Sequence, residues 1–369
     1  MSADRLYATL IELVGLPSTS GHEEHVRQYL EATLQAQGLT TSVDPAGNLI
    51  ALLPGQGRPV LLNAHMDRVP PGRGQHPVLR DGVLYSDGSS NLGADDAAGL
   101  AIILETLRRL QERSLPHPPI VALFTVQEES GLQGARAFDP IPWQVSEGIV
   151  FDNAFEAGVV VSRGAHYEAF DVEITGRTGH PGKDLSQTVN AVEIFRQAAY
   201  PHGSLANDQT RILIGRIEGG SARNAVPARV LLQGELRSFE GSEQIERYRE
   251  RLRKAFEESA HQAGGRAEIH FVSHCGAYVV DEQEPLLALY RQVLADRGKQ
   301  IQLRPTFIGS DTSALRPRLR VFTISTGVVN EHSPTEYVPL EPLEQLVEDT
   351  LEVLHRWSGA GSAADRNPA

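Results

Sequence analysis

Three runs of this chain are so uniformly apolar that they suit strands buried on both faces, and each leads into residues that can hold a proton or a cation. Pro59 to Leu62 leads through Asn63-Ala64 to His65-Met66-Asp67. Ile120 to Val126 leads to Gln127-Glu128-Glu129, and Gly148 to Phe151 leads to Asp152. Runs of this kind belong in the centre of a sheet covered by helices on both sides. The strongly helical segment Ala97–Gln111 begins directly after Gly93-Ala94-Asp95-Asp96. Strand, acid, helix, strand, acid is an α/β order, in which sites gather at the carboxyl ends of strands. His332 follows a later strand at Val321–Ser325 and joins the same set.

The remaining pattern sets the domain plan. Helices are expected at Asp4–Gly15 and from a capping start at Ser20-Gly21-His22-Glu23-Glu24 to Gly38, and strands at Thr40–Val43 and Asn48–Leu53. From about Gly164 the period changes to the alternation of half-exposed strands. His166–Thr175, a helix at Ser186–Ala199, Arg211–Ile217, Arg229–Ser238, a helix at Ser242–His261 and Arg266–Val272 read as βαββαβ, an antiparallel sheet with two helices on one face. Residues 164–273 are therefore an inserted α+β domain, and 1–163 with 274–357 form one α/β domain. In that second part helices are expected at Glu284–Asp296, after Asp311 and at Glu341–Trp357, with a strand near Gln300–Leu303. The small-residue tail 358–369 is expected to be disordered.

With 369 residues the chain exceeds one ordinary core. A formal charge of −13 argues against nucleic-acid and anionic-membrane partners. One cysteine, Cys275, permits neither an intrachain disulfide nor a thiolate metal cage. The first residues do not resemble a signal peptide and no window is apolar enough to span a bilayer, so a cytoplasmic enzyme is the expectation.

Taken singly, each candidate has an ordinary explanation. Asp95-Asp96 can cap a helix, Glu128-Glu129 can be a solvated pair, Asp152 can cap a turn, and His332 can be a loop histidine. All of them at strand ends is harder to explain that way. A two-metal hydrolase needs about five nitrogen and oxygen ligands, one of them bridging, and a general base. His65, Asp95, Glu129, Asp152 and His332 supply the ligands, and Glu128, facing elsewhere on the turn, suits the base. Asp67 can hydrogen-bond the other nitrogen of His65.

The ordered set Ala64-His65-Met66-Asp67, Leu92-Gly93-Ala94-Asp95-Asp96, Glu128-Glu129-Ser130-Gly131, Asp152, Gly179-His180-Pro181-Gly182 and His332-Ser333-Pro334-Thr335-Glu336 resembles the M20 metallopeptidases, especially their peptidase-T-like branch. The resemblance implies a three-layer catalytic domain with a mixed sheet and an inserted lid that also makes a homodimer. It implies two divalent cations, zinc first with cobalt or manganese as options. Asp95 would bridge them, with a cis peptide bond after it. His65 and Asp152 would complete one site, Glu129 and His332 the other. Glu128 and Asp67 would be the catalytic pair, Glu128 activating the water shared by the metals. His180 would reach into the partner subunit's site, and Asn224 and Arg237 would contact the substrate carboxylate. Turn formation at Asn224 and a sheet ion pair at Arg237 are the alternatives.

Two departures bear on specificity. Ala97 stands where family members often have Lys, and Phe307-Ile308 stands where tripeptidases carry Arg-Gly, so strict tripeptide specificity is not implied. Ser310 and Asp311 are left to shape the pocket or to cap the following helix. The expected activity is an aminopeptidase on short peptides. An N-acyl-amino-acid deacylase is the alternative, and a catalytically silent binding protein is disfavoured by the intact Glu128.

Overall fold

The computed structural model describes residues 2–183 and 185–364. The chain divides into two compact units, one of residues up to Arg163 and from Val279 onward, the other Gly164–Tyr278. The division falls after Tyr278 rather than at 273 because β-pairing along that strand continues to Cys275, opposite Tyr167.

In chain order, the first unit opens with α1 (Ser2–Gly15), α2 (Glu24–Ala36), β1 (Thr40–Val43), β2 (Leu49–Leu53) and β3 (Val60–His65). It goes on through β4 (Val78–Arg80), β5 (Val83–Tyr85), α3 (Ala94–Glu112), β6 (Ile120–Thr125), α4 (Gln133–Ala137), β7 (Glu147–Asp152) and β8 (Val160–Gly164). The second unit follows as β9 (His166–Thr175), α5 (Ala191–Gln197), β10 (Gly203–Leu205), β11 (Thr210–Gly219), β12 (Arg229–Ser238), α6 (Ser242–Ala263) and β13 (Arg266–Cys275). After β14 (Tyr278–Val279) the first unit is completed by α7 (Pro285–Asp296), β15 (Leu303–Thr306), α8 (Asp311–Leu315), β16 (Arg320–Ser325), β17 (Tyr337–Pro339) and α9 (Leu340–Ala364).

The main sheet runs β1-β2-β6-β3-β7-β16-β8-β14, with β15 beside β8. It is mixed. β6, β3, β7 and β16 are mutually parallel, while β2 against β6 and β8 against β16 are antiparallel. Every residue of β3, β6 and β7 is buried, as their apolar runs require. Ala135 of α4 and Leu315 of α8 pack with Leu61, Val121 and Val150 on one face, and α3, flanked by α1 and α9, packs against β3 and β7. Because four parallel strands lie side by side, their carboxyl ends open on the same edge. A small sheet, β17-β5-β4, stands apart.

The second unit carries one antiparallel sheet, β10-β11-β12-β9-β13. Phe170, Val172 and Ile174 of β9 pack with Leu252 and Phe256 of α6 and Ile194 of α5 in its core.

Four expectations are corrected. Ser20 does not cap α2, which starts at Glu24 without a side-chain cap, because the Ser20 hydroxyl donates to Asp67 instead. The helix expected at Ser186–Ala199 is only Ala191–Gln197 after a 3-10 turn at Leu185–Gln187. Asn190 starts it by accepting from the Val192 and Glu193 N–H groups, and the approach to Pro201 ends it. The strand expected at Gln300–Leu303 lies at Leu303–Thr306. The tail expected to be disordered from Ser358 is helical through Ala364. A helix already nucleated extends cheaply, which carries α9 past Gly359 and Gly361 despite their low helix propensity. Residues 365–369 of that tail lie outside the described residues.

Candidate metal centre

The four parallel strands deliver the candidates to one place. His65 is the last residue of β3 and Asp152 the last of β7, Glu128-Glu129 follow β6, and His332 lies on the hairpin after β16. Asp95 enters at the start of α3, and the Asp95–Asp96 peptide bond is cis.

Asp95 divides its two oxygens. Its Oδ1 lies 3.6 Å from His65 Nε2, and its Oδ2 lies 3.3 Å from His332 Nε2. Asp152 Oδ1 is 3.9 Å from His65 Nε2, and Glu129 Oε1 is 2.8 Å from His332 Nε2. His65, Asp95 and Asp152 form one triad, and Asp95, Glu129 and His332 another, with ligand atoms within 4.8 Å of one another in each. Glu128 does not face away: its carboxylate comes within the same distance of His65 and Glu129, so it lies among the candidate ligands.

Electrostatics supports a cationic occupant. Burial, reinforced by Asp152, Glu129 and Asp311, pushes the Glu128 carboxyl well above the usual range, and burial does the same to Asp152. Burial would lower His65, but Asp67 and Asp95 outweigh it and raise it well above the ordinary imidazole value. Asp95 and Glu129 raise His332 to about 10. Asp95 Oδ1 and Glu129 Oε1 are buried and have no well-aligned hydrogen-bond donor. Imidazole nitrogens with buried carboxylate oxygens fit a pair of divalent cations.

The loops that carry these groups are held by buried side chains, most of which the sequence did not single out. Four successive backbone N–H groups after β6 each find a side-chain oxygen. Val126 donates to Asn48 Oδ1 at 3.1 Å, Gln127 to Glu23 Oε1 at 3.1 Å, Glu128 to Asp67 Oδ1 at 2.8 Å and Glu129 to Asp67 Oδ2 at 3.2 Å. The Asp67 carboxylate thus has contacts beyond the one expected at His65. His65 Nδ1 pairs at 2.8 Å with the Asp67 backbone carbonyl, and the carboxylate, 3.5 Å from that nitrogen, holds the Glu128-Glu129 turn. Asp96 ties His65 to α3, accepting from the His65 N–H at 3.2 Å and the Gly99 N–H at 3.0 Å. Glu336 accepts from the N–H groups of Leu92, Gly93, Ala94 and Asp95. The available signal was indirect: each is an acid or amide beside a turn whose N–H groups need acceptors.

Ser310 and Asp311 are not capping side chains. Ser310 Oγ lies 3.1 Å from Thr323 Oγ1, and buried Asp311 accepts from the Thr125 hydroxyl.

The other candidates lie in the second unit. His180 is exposed, and its Nδ1 accepts from the Gly182 N–H at 3.1 Å, which leaves the proton of a neutral ring on Nε2. Asn224 is exposed on a turn joined to the His180 loop where the Val226 N–H meets the Gly179 carbonyl at 2.8 Å. Arg237 pairs with Glu235 at 3.0 Å and lies over the Tyr167 ring at 4.2 Å, as the sheet ion-pair alternative expects.

The model of peptidase family M20/M25/M40 matches residues 61–356. The chain belongs to this family. Among relatives of this M20 chain, the uncharacterised protein YqjE of Bacillus subtilis is 30% identical over 363 residues, 95% of this chain and 97% of that one. A solved tripeptidase from Staphylococcus aureus superposes with a TM-score of 0.91 at 28% identity, covering 97% of this chain and 99% of that one. The aminopeptidase PepT of Bacillus cereus gives 0.88 at 28% identity, covering 96% and 99%. Within the M20 family the chain therefore sides with the peptidase-T-like branch.

Proposed function

We propose that this M20 protein is a dinuclear metal-dependent aminopeptidase that releases residues from the amino end of short peptides. The observation that carries this reading is Asp95, one oxygen turned to each of two histidine-containing triads. His65, Asp95 and Asp152 would hold one cation and Asp95, Glu129 and His332 the other, zinc being the first choice for such donors. Bound there, two divalent cations supply Lewis acidity that polarises the scissile carbonyl and makes water acidic enough to attack near neutral pH.

The chain's own residues do the rest. Glu128, beside His65 and Glu129, takes the proton of the attacking water and returns it to the departing amine. Asp67, Glu23 and Asn48 hold that carboxylate in place by fixing the backbone on which it rides. His180, with its donor on Nε2, would stabilise the oxyanion from a partner subunit in a dimer built on the inserted unit, and Asn224 would meet the peptide carboxylate. Arg237 could join it only by exchanging Glu235 for substrate.

The deciding experiment offers the metal-reconstituted protein a mixed set of dipeptides, tripeptides and N-acyl amino acids and reads products by mass spectrometry. Free amino-terminal residues are the expected products. Hydrolysis of N-acyl amino acids alone would overturn the peptidase reading.

A further inference from the structure

The two triads are not built alike. His65 and Asp152 end adjacent parallel strands, so the sheet ladder itself spaces them. The second triad has no such frame. Glu129 rides an irregular turn, Asp95 the loop before α3, and His332 a surface hairpin in which Asn330 and His332 both have positive φ, 55° and 62°. His332 has 44% of its side chain exposed.

One side chain joins two of these three segments. Glu336 is 1% exposed and belongs to the same hairpin as His332. That hairpin is closed by the Val329 and Tyr337 backbone pair, at 2.8 and 3.0 Å, and anchored where the Ser86 N–H meets the Glu336 carbonyl at 3.0 Å. From this base the Glu336 carboxylate reaches the loop before α3. Oε2 accepts from Leu92 and Gly93 at 2.9 and 3.1 Å, and Oε1 from Ala94 and Asp95 at 2.7 and 3.3 Å. Gly93, with φ of 75°, turns the backbone so that successive N–H groups converge on one carboxylate. A cap needed only for α3 could come from a neighbouring residue. This one comes from the segment that carries His332, so it fixes the approach of His332 Nε2 to Asp95 Oδ2, 3.3 Å apart.

Resting on the two-cation reading above, we infer that Glu336 is a positioning residue for the second cation, setting the affinity of the Asp95–Glu129–His332 site and leaving that of the His65–Asp95–Asp152 site nearly unchanged. Charge-assisted bonds to a buried carboxylate are the strong ones, and supports of this kind typically change metal affinity by about 10–100-fold.

The test titrates the metal-free full chain and its Glu336→Gln variant with zinc by calorimetry and with cobalt by visible absorption. In the variant an amide NH2 faces two N–H donors, so half of the cradle opens. The wild type should take two equivalents. The variant should take the first with an affinity within about twofold of wild type and the second about 10–100-fold more weakly, with the cobalt band of the second equivalent displaced to higher concentration. Glu336→Asp, which keeps the charge but cannot span both pairs of donors, serves if the first variant does not fold, and should show the same order with a smaller loss. Wild-type binding of both equivalents in the variants, or equal weakening of both, overturns the inference. A wild type that takes only one equivalent overturns the two-cation reading and the inference with it.

Discussion

Glu128 is the residue whose removal should separate binding from chemistry. Glu128→Ala leaves both triads intact, so the variant should keep two equivalents of metal by elemental analysis while kcat falls by about 10²–10⁴. A variant with near wild-type kcat would refute Glu128 as the base. Asp67→Asn replaces one of the oxygens that hold the Glu128 and Glu129 N–H groups with a donor, and it also disturbs the Ser20 contact. Activity should drop by about 10–100-fold, more than metal affinity does; an affinity loss exceeding the rate loss would return Asp67 to a role at His65. At this scale the sequence pointed to the proposed ligands because imidazole and carboxylate at strand ends have few other uses in concert. It announced the supports poorly. Glu23, Asn48, Asp96 and Glu336 act by accepting backbone N–H groups, three of them across long stretches of chain, and acceptors of that kind leave no period or spacing to read.

Among the elements, α3 is held away from the site as firmly as at it. Arg109 is buried on α3 and pairs with Glu105 at 2.6 Å on the same helix and with Glu344 and Glu348 of α9, each at 2.6 Å, while Arg5 of α1 reaches Glu105 at 2.8 Å. These pairs hold α1 and α9 against the helix that begins at Asp95. Arg109→Ala removes a cation from three carboxylates, of which Glu105 keeps Arg5 and Glu348 keeps Arg113, and should cost about 3 kcal/mol, the low end for a broken buried pair because Glu344 and Glu348 keep some contact with water. Urea unfolding checks this; a loss below about 1 kcal/mol, the range of surface pairs, would show the network to be solvent-screened. Central strands and long helices were legible from apolar runs and amphipathic period. The short strands β4, β5 and β17 were not, because a three-residue strand carries too little pattern and exists by virtue of its partners.

At the scale of the whole molecule, charge is the main variable. Buried Asp311 is pushed up to about 6, and Glu128 and Asp152 move the same way, all by burial first. An acid whose pKa is raised by folding binds its proton more tightly in the folded chain, so its contribution to stability declines as pH rises from about 4, the unfolded value, through the folded one. Chelated protein should therefore lose thermal stability between pH 4 and 7, and added zinc should flatten that slope by replacing protons at the ligands. Calorimetric scans across this range with and without chelator decide it; parallel slopes would mean that the site does not govern the pH response.

The parallel sheet also orders events during synthesis. His65, Asp95 and Asp152 all precede the inserted unit, whereas His332 and Glu336 come after it. The 267 residues from His65 to His332 take about 15–50 s to translate at about 5–20 residues per second. During most of that interval a nascent chain holds every proposed donor of the first site and lacks one proposed donor of the second. On the proposed ligand set, maturation would be staged by chain order: one cation could be acquired while the ribosome is still at work, and the second only after the carboxyl-terminal hairpin has arrived.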